Sequence, residues 1–494
     1  MRFPAAGALL LSALSAGCGV DRFERPVDVP NSAATELAAR AMAGQRVSVC
    51  HSGDEGPALL NVSRRALEGH RGHGDYVAGL AVDGTSTGDD GIHFARITDA
   101  LASARAGRLE RGELETARCR ITITVAAGTR PATTAVPAGS GVEQLPLVID
   151  VPDLTVQGAL VMEMDEKGRA TGTSSAATTI LPSPYLVLIG GCTSTRACAP
   201  EPIFIVNGHP TGSKGHGAVI EGFAFRSGRS PSDTGSSGIG VLGMRVNDLV
   251  VRGNRFEGGL SSGVDLRASQ GVVQRNHLVG PGSSCDFCLS GPGTYTVRDN
   301  RVVGGGIPGV FILPFSFVPV PPQVEQFPLP AAALVTASVI NNEVRDHRKK
   351  PVGVALRIGA IGVDAPNVAG TANVTFTDND LVNNTFGIIV EAAFAANNTL
   401  RRGDITLSTS GNTITASCQA DLLVSLAQSQ TALGINNNAY LLNSTYALTL
   451  GGDISFDDAW YAHAAGLGNL LLVNGQTIAN GVRRAFDANK VCSP

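Results

Sequence analysis

The chain has 494 residues, a formal charge of −4, 16% charged residues, 60 glycines and no basic block or heptad pattern. A nearly neutral chain of this kind argues against nucleic acid as a partner. So much glycine beside so few charges points to a turn-rich β protein rather than a helical one.

Residues 1–17 read as a secretory signal: Arg2 supplies the positive charge, Ala8-Leu9-Leu10-Leu11 opens the apolar segment, and small residues follow. The apolar stretch is too short to cross a bilayer core of about 30 Å as a helix. It closes on Leu14-Ser15-Ala16-Gly17-Cys18, which resembles the lipobox of bacterial lipoproteins. The resemblance implies cleavage before Cys18, lipid attachment to Cys18 and membrane partnership through that anchor. Gly19, not Asp, follows the cysteine, which in such proteins goes with the outer membrane. The plainer alternative is an ordinary signal peptide followed by an incidental cysteine. With no second hydrophobic segment, the chain beyond the anchor is expected to be a soluble monomer in the bacterial cell envelope, periplasmic or surface-exposed.

Nine cysteines less Cys18 leave eight, an even number that suits a disulfide-bonded exported chain. Plausible local pairings are Cys50 with Cys119, Cys192 with Cys198 and Cys418 with Cys492, although spacing does not fix connectivity. Cys285 and Cys288 form a C-x-x-C, but a reactive thiolate there would need to open a helix. These two sit among Gly, Ser and Pro in a strand repeat. A zinc site would need a second cysteine pair at suitable spacing, and the sequence has none.

Residues 18–46 read as a tether with one short helix from Thr35 to Met42, and residues 47–120 as an N-terminal cap region. The cap begins with a Gly- and His-containing loop. It continues with an amphipathic helix near His93 to Leu109, in which Phe94, Ile97, Leu101 and Ala104 share a face. Asp89-Asp90 is placed to cap its start. Ile121-Thr122-Ile123-Thr124-Val125 then alternates as a strand, and strands at Leu147–Val151, Leu154–Gly158, Phe204–Val206 and Val219–Phe225 follow. Residues 121–415 are expected to form the main body and residues 416–494 a C-terminal cap containing Trp460.

Within that body one phrase recurs. Val251-Arg252-Gly253-Asn254-Arg255-Phe256 returns around Asn276 and Asn300, 22 and then 24 residues on, and again around Asn342, Asn379 and Asn412, with Phe223 in the Asn slot upstream. A period in the low twenties with alternating apolar residues marks a stacked coil. After each Asn a strand opens with Gly and spaced aliphatics: Gly238-Ile239, Gly263-Val264, Gly309-Val310, Gly353-Val354, Gly387-Ile388. The Asn is expected to hold the tight corner in a left-handed conformation and to bond its amide to the Asn of the next coil. Insertions at Ser227–Ser237 and Pro314–Pro330 break the spacing.

A helix, then I-x-I-x-V, then a Gly-Thr turn and Asn-marked coils resembles the pectin-lyase-like right-handed parallel β-helices, over roughly residues 93 to 415. The resemblance implies an all-β solenoid with an N-terminal helical cap over its open end. As an activity it implies a lyase or hydrolase acting on acidic polysaccharide. The rival expectation is a non-catalytic surface module that binds glycan or protein.

Stacked coils bring equivalent positions into outward-facing rows. Aligning the Gly-led strands sends Asp265 and Arg267 outward and sets Asp286 over Asp265, which would place two carboxylates about 5 Å apart. Such a pair could serve catalysis or share a proton or a Ca²⁺. A neighbouring row would hold Arg267, Arg357 and Glu391, with an arginine able to clamp a substrate carboxylate. Asp265, Asp286, Arg267 and Arg357 are therefore the candidate catalytic residues, against the alternative of an ordinary salt-bridged surface. His70-x-x-His73-x-Asp75 has donors that a metal could use, but its Gly neighbours favour a solvated loop. Gly215-His216-Gly217 lacks the Asn-Thr-Asp, Asp-Asp and Arg-x-Lys partners of polygalacturonases and is read as chance. One Trp and six Tyr are few for a cleft that stacks sugars.

Overall fold

The computed structural model describes residues 46–53, 56–84, 90–110, 112, 119–133, 141–173, 177–182, 202–208, 215–226, 237–280, 285–304, 308–314, 332–348, 353–359, 369–391, 403–418, 420–425, 447–455, 459–461, 470–473 and 476–477. The signal segment, Cys18 and the Thr35–Met42 helix lie outside these residues, as do Cys192, Cys198 and Cys492.

Each coil contributes three strands, and each strand pairs in parallel with its counterpart one coil on. Leu249–Arg252 pairs with Gln270–Gln274, Arg255–Glu257 with His277–Val279, and Leu260–Arg267 with Phe287–Ser290. Repeated along the chain, these pairings give a 23-strand sheet that wraps two faces and a 10-strand sheet that forms the third. The result is a right-handed parallel β-helix, as the repeat led one to expect. Parallel pairing does not stop at Thr415. Phe386–Glu391 pairs with Ala420–Ser425, and Ala447–Ser455 with Leu470–Val473. Coils therefore run on into the stretch that the sequence assigns to a cap, ending in an antiparallel hairpin with Gln476–Thr477.

Alternation explains the core. Val251, Val273, Val297, Val339 and Phe376 are register partners on successive coils and all are buried. Phe225 and Phe256 stack at 4.8 Å between coils. Burying one such side chain contributes roughly 1.5–3 kcal/mol, and the row repeats this at every coil.

The asparagines form the expected ladder, with one correction. Asn254, Asn276, Asn300, Asn342 and Asn379 each donate from Nδ2 to the Oδ1 of the next coil's Asn, at 2.9–3.3 Å. The same Oδ1 atoms accept the backbone N–H of the preceding coil's Asn. Phe223 does occupy the slot upstream, and its N–H reaches Asn254 Oδ1 at 3.0 Å. The left-handed conformation, however, falls on the residue before each Asn: Gly253, Arg275, Asp299, Asn341, Asp378 and Gly411 have φ between 53° and 64°. That preceding residue makes the bend, which leaves the Asn side chain free to point along the stack.

The N-terminal end is more structured than a Gly/His loop. Arg46–Gly53 pairs antiparallel with Gly56–Ser63 and with Tyr76–Val77, and a disulfide joins Cys50 to Cys119. The helix runs Ile97–Glu110 and buries Ile97, Ala100, Leu101 and Ala104, while Phe94 belongs to the short strand before it. Asp90 does not cap this helix. Its Oδ1 accepts the N–H groups of Ile92 and His93. The helix start is satisfied from 46 residues away, where buried Glu143 accepts the N–H of Ile97 at 2.8 Å and of Thr98 at 3.0 Å. A carboxylate there meets both the orphan donors and the positive end of the helix. One antiparallel insertion, Met162–Met164 with Ala170–Thr173, straps the flank. Its Arg169 donates to Asp380 Oδ2 at 2.5 Å and Lys167 to the same atom at 2.8 Å.

Candidate functional site

The four candidate residues lie on the third face and its corner, but not as the repeat alignment placed them. Asp265 is the register partner of Cys288, not of Asp286. The N–H groups of Gly263 and Val264 both reach Asp286 O, at 3.0 and 3.1 Å, so Asp286 lies beside Gly263, just before its own strand. The expected carboxylate pair is not formed, and neither is the Ca²⁺ or shared-proton geometry that depended on it. Arg357 belongs to Asp265's own row, through Cys288 and Phe311, three coil steps or about 14 Å away. The expected row of Arg267, Arg357 and Glu391 is therefore not formed: Arg267 is in line with Ser290 and Leu313, and Glu391 pairs with Gly359.

Three separate environments result. Asp265 and Arg267, two residues apart on one strand, form a buried ion pair: Arg267 Nη2 donates to Asp265 Oδ2 at 2.6 Å, and Nε lies 3.1 Å from both oxygens. Their side chains are only 3% and 4% exposed, so each neutralises the other in place of facing solvent. Arg357 lies over the Phe311 ring at 5.1 Å, and it too is buried. Upstream, the same outward face is apolar, with Ile205, Ile239, Leu242 and Met244 packed together.

Asp286 stands apart. Its Oδ2 lies 2.9 Å from Nε2 of His347, a histidine that the sequence reading missed. His347 belongs to the coil after next and reaches Asp286 past Gly309, where a Cβ would come within 3.3 Å of the ring nitrogen and 2.7 Å of Val344 Cγ1. The Gly that opens the strand thus has a steric reason at Gly263, Gly309 and Gly353, and at Gly309 it makes room for this contact. The other ring nitrogen, Nδ1, is 3.1 Å from the carbonyl oxygen of Arg345. A carbonyl can only accept, so Nδ1 carries a hydrogen. The Nε2–Asp286 contact therefore holds one further proton, on the ring or on the carboxyl group. His347 is fully buried. Asp286 lines a small open cavity of about 10 Å³ with Phe256, Glu257, Leu260, Gly263 and Leu278, and Glu257 is ion-paired to Arg255 at 3.0 Å.

Other motifs resolve into structure. Cys285 and Cys288 are joined as a disulfide, beside Ser262 Oγ, 3.3 Å from Cys288 Sγ. Cys418 is also disulfide-bonded, to a partner outside the described residues. His216 uses Nδ1 to accept the N–H of Asn247 at 3.0 Å, which ties down a turn. Among the described residues no helix is long and apolar enough to cross a membrane.

In class, the molecule is a right-handed parallel β-helix carrying a buried Asp–His pair at one corner. No protein family matches the chain by sequence, and no curated protein sequence matches it. Among solved structures it is similar to an endo-xylogalacturonan hydrolase from Aspergillus tubingensis, at 11% identity and a TM-score of 0.38 over 82% of this chain and 100% of that one. It is also similar to an exopolygalacturonase from Thermotoga maritima, at 10% identity and a TM-score of 0.34 over 90% and 97%. A mannuronan C-5 epimerase A-module from Azotobacter vinelandii matches at 12% identity and a TM-score of 0.31 over 80% and 98%.

Proposed function

We propose that this is an exported envelope protein, lipid-anchored through Cys18, whose β-helix acts on polysaccharide by acid–base chemistry at Asp286. The observation that carries the reading is the Asp286–His347 pair: a buried carboxylate at a cleft, sharing one proton with an imidazole whose other nitrogen is fixed by Arg345 O. Asp286 would exchange that proton with substrate or water, while His347 orients the carboxylate. The resemblance of the Asn-marked coils to pectin-lyase-like proteins supports polysaccharide as the substrate class. An acidic substrate has less support, because Arg267 is neutralised by Asp265 and the cleft is lined by Glu257 and Asp286 with no cation among its lining residues.

A second reading, a non-catalytic module binding glycan or protein, is favoured by size. The cavity beside Asp286 has a volume of about 10 Å³, room for about one water molecule, far below the roughly 300–1,000 Å³ of ligand pockets that enclose a drug-sized molecule.

One experiment separates the two: a depolymerisation screen of the full-length chain on neutral and acidic polysaccharides, with and without Ca²⁺, following reducing ends and unsaturated uronide absorbance. Under the catalytic reading, Asp286→Asn lowers kcat by about 10²–10⁴-fold, while the folded Arg357→Gln variant stays within a few-fold of wild type. No cleavage from folded protein that still retains a polysaccharide on a column establishes the second reading.

A further inference from the structure

The N-terminal cap brings together three side chains that the sequence scatters: His51, His70 and Asp75. His51 lies on the strand Arg46–Gly53, one residue beyond the Cys50–Tyr76 register pair, so sheet pairing sets it across from Asp75. His70 lies on the helix Leu67–Gly72. The chain turns back after that helix through hydrogen bonds from the N–H groups of His73 and Asp75 to His70 O, at 3.1 and 3.0 Å. The outcome is a convergent set: Nδ1 of His51 and Nδ1 of His70 lie 2.7 and 2.8 Å from the same oxygen, Asp75 Oδ2, and the rings meet edge-on at 5.7 Å. His73, the third member of the sequence motif, is exposed and takes no part.

We infer that His51, His70 and Asp75 form a binding site for a divalent transition ion of the zinc class. Two imidazoles and one carboxylate are the donor set that a borderline ion prefers, whereas Ca²⁺ and Mg²⁺ require oxygen ligands. All three donor atoms lie within 4.8 Å of one another. In a tetrahedral zinc site, ligand bonds of about 2.0–2.1 Å hold N and O roughly 3.3 Å apart. The observed separations of 2.7 and 2.8 Å therefore need to open by about half an ångström, a movement within side-chain reach.

Exposure supports the same arrangement. The Asp75 side chain is 1% exposed, while His51 and His70 are 35% and 22% exposed. The carboxylate is thus a fixed, buried anchor, and the imidazoles form the open rim through which an ion enters and where water completes the coordination. On binding, the ion takes the place of the hydrogen on any Nδ1 that donates to Asp75; a neutral ring carries that hydrogen on Nε2 instead, and a protonated ring releases one proton to solvent. The physical consequence is a staple. It would tie the cap's strand, helix and returning turn together beside the Cys50–Cys119 disulfide, over a small core of Val47, Val49, Leu67 and Ile92.

The test is titration of the full-length, disulfide-intact chain, freed of metal with chelator, with Zn²⁺ by calorimetry and with Co²⁺ by visible absorption. One equivalent should bind, with Co²⁺ giving the intense bands of four-coordination, and the thermal midpoint of the cap should rise with Zn²⁺. His51→Ala and His70→Ala should each weaken binding by about 100-fold or more, since loss of a mere supporting partner already costs 10–100-fold. His73→Ala should leave it unchanged. If Asp75→Asn fails to fold, the two histidine variants, at half-buried rim positions, still decide the matter. Absence of stoichiometric binding, or binding unaffected by His51→Ala and His70→Ala, overturns the site.

Discussion

Replacing Asn300 by alanine should cost the solenoid about 3–5 kcal/mol. Asn300 Nδ2 donates to Val273 O and to Asn342 Oδ1, both at 2.9 Å, and its Oδ1 accepts the N–H of Asn276 at 2.9 Å and Asn276 Nδ2 at 3.1 Å. The substitution removes all four bonds, in a row where Asn276 and Asn300 are fully buried. Two of the partners keep other contacts, because Asn276 Nδ2 still reaches Val251 O and Asn342 Oδ1 still accepts the Asn300 N–H. The Asn276 N–H, by contrast, is stranded without water. Net hydrogen bonds contribute about 0.5–1.5 kcal/mol each and an orphaned buried donor costs about 1–3 kcal/mol, which gives the stated range after allowing for the retained contacts. Nearest-neighbour coupling confines the damage to adjoining coils, so hydrogen exchange is the assay of choice, with urea unfolding beside it. The Asn276 amide should exchange faster by a factor matching the loss. A loss under about 1 kcal/mol, or an Asn276 amide as protected as in wild type, would refute the ladder as a source of stability.

Acid sensitivity should trace to His277. Burial, and then the neighbouring Arg255 and Arg301 cations on the adjoining strands, hold its imidazole down to about 4 from the usual 6.5. Between those two values the unfolded chain takes up a proton that the folded chain refuses, so stability is full above pH 6.5 and falls as pH drops towards 4. His277→Gln should flatten that fall by about 2–3 kcal/mol, read from urea midpoints across the window; parallel curves for both proteins would exclude His277 as the source. Gly309→Ala places a Cβ 2.9 Å from Ala355 O and 2.7 Å from Val344 Cγ1. It should destabilise by about 1–3 kcal/mol through overpacking and disturb His347, and a variant as stable as wild type by calorimetry would contradict the tight-corner account. Cys18→Ser should move the protein from the membrane fraction to the soluble one and abolish incorporation of labelled fatty acid; continued labelling would place the anchor elsewhere.

The fold was legible because its signals are local and repeated. Alternation around each Asn fixes which residues face in, and the ladder needs only that equivalent asparagines stack. Cys50 and Cys119 could be paired because a cap strand and a first-coil strand have to adjoin. The antiparallel cap sheet was less legible, since Val47 and Val49 give only a short alternation before glycines interrupt it. The Glu143 cap of the helix at Ile97 was not legible at all, because nothing local links positions 46 residues apart.

The site was harder to read for a reason built into solenoids. A repeat alignment gives the face a residue occupies only if the strands are set in the right register, and nothing in the Gly- and Ser-containing turn before this strand marks where that register starts. The pairing of Val264 with Phe287 and of Asp265 with Cys288 sets Asp286 beside Gly263, two places from Asp265. The partner it gains, His347, comes from 61 residues downstream. The available signal was indirect: Asp286 occupies the place in its coil that Gly263 and Gly309 occupy in theirs, where a side chain meets the packed corner. A carboxylate in a glycine slot must be buried, and a buried carboxylate must find a partner or remain neutral. The departure from the glycine rule, rather than the rows of outward charges, was therefore the mark of the unusual chemistry. His347 comes to that slot from the next corner but one, past Gly309, where a Cβ would lie 3.3 Å from its Nε2. The carboxylate in the glycine slot thus finds its partner in His347, at 2.9 Å, whereas Asp265 and Arg267 satisfy each other, and for that reason Asp286 and His347 are the pair on which an assay of activity should turn.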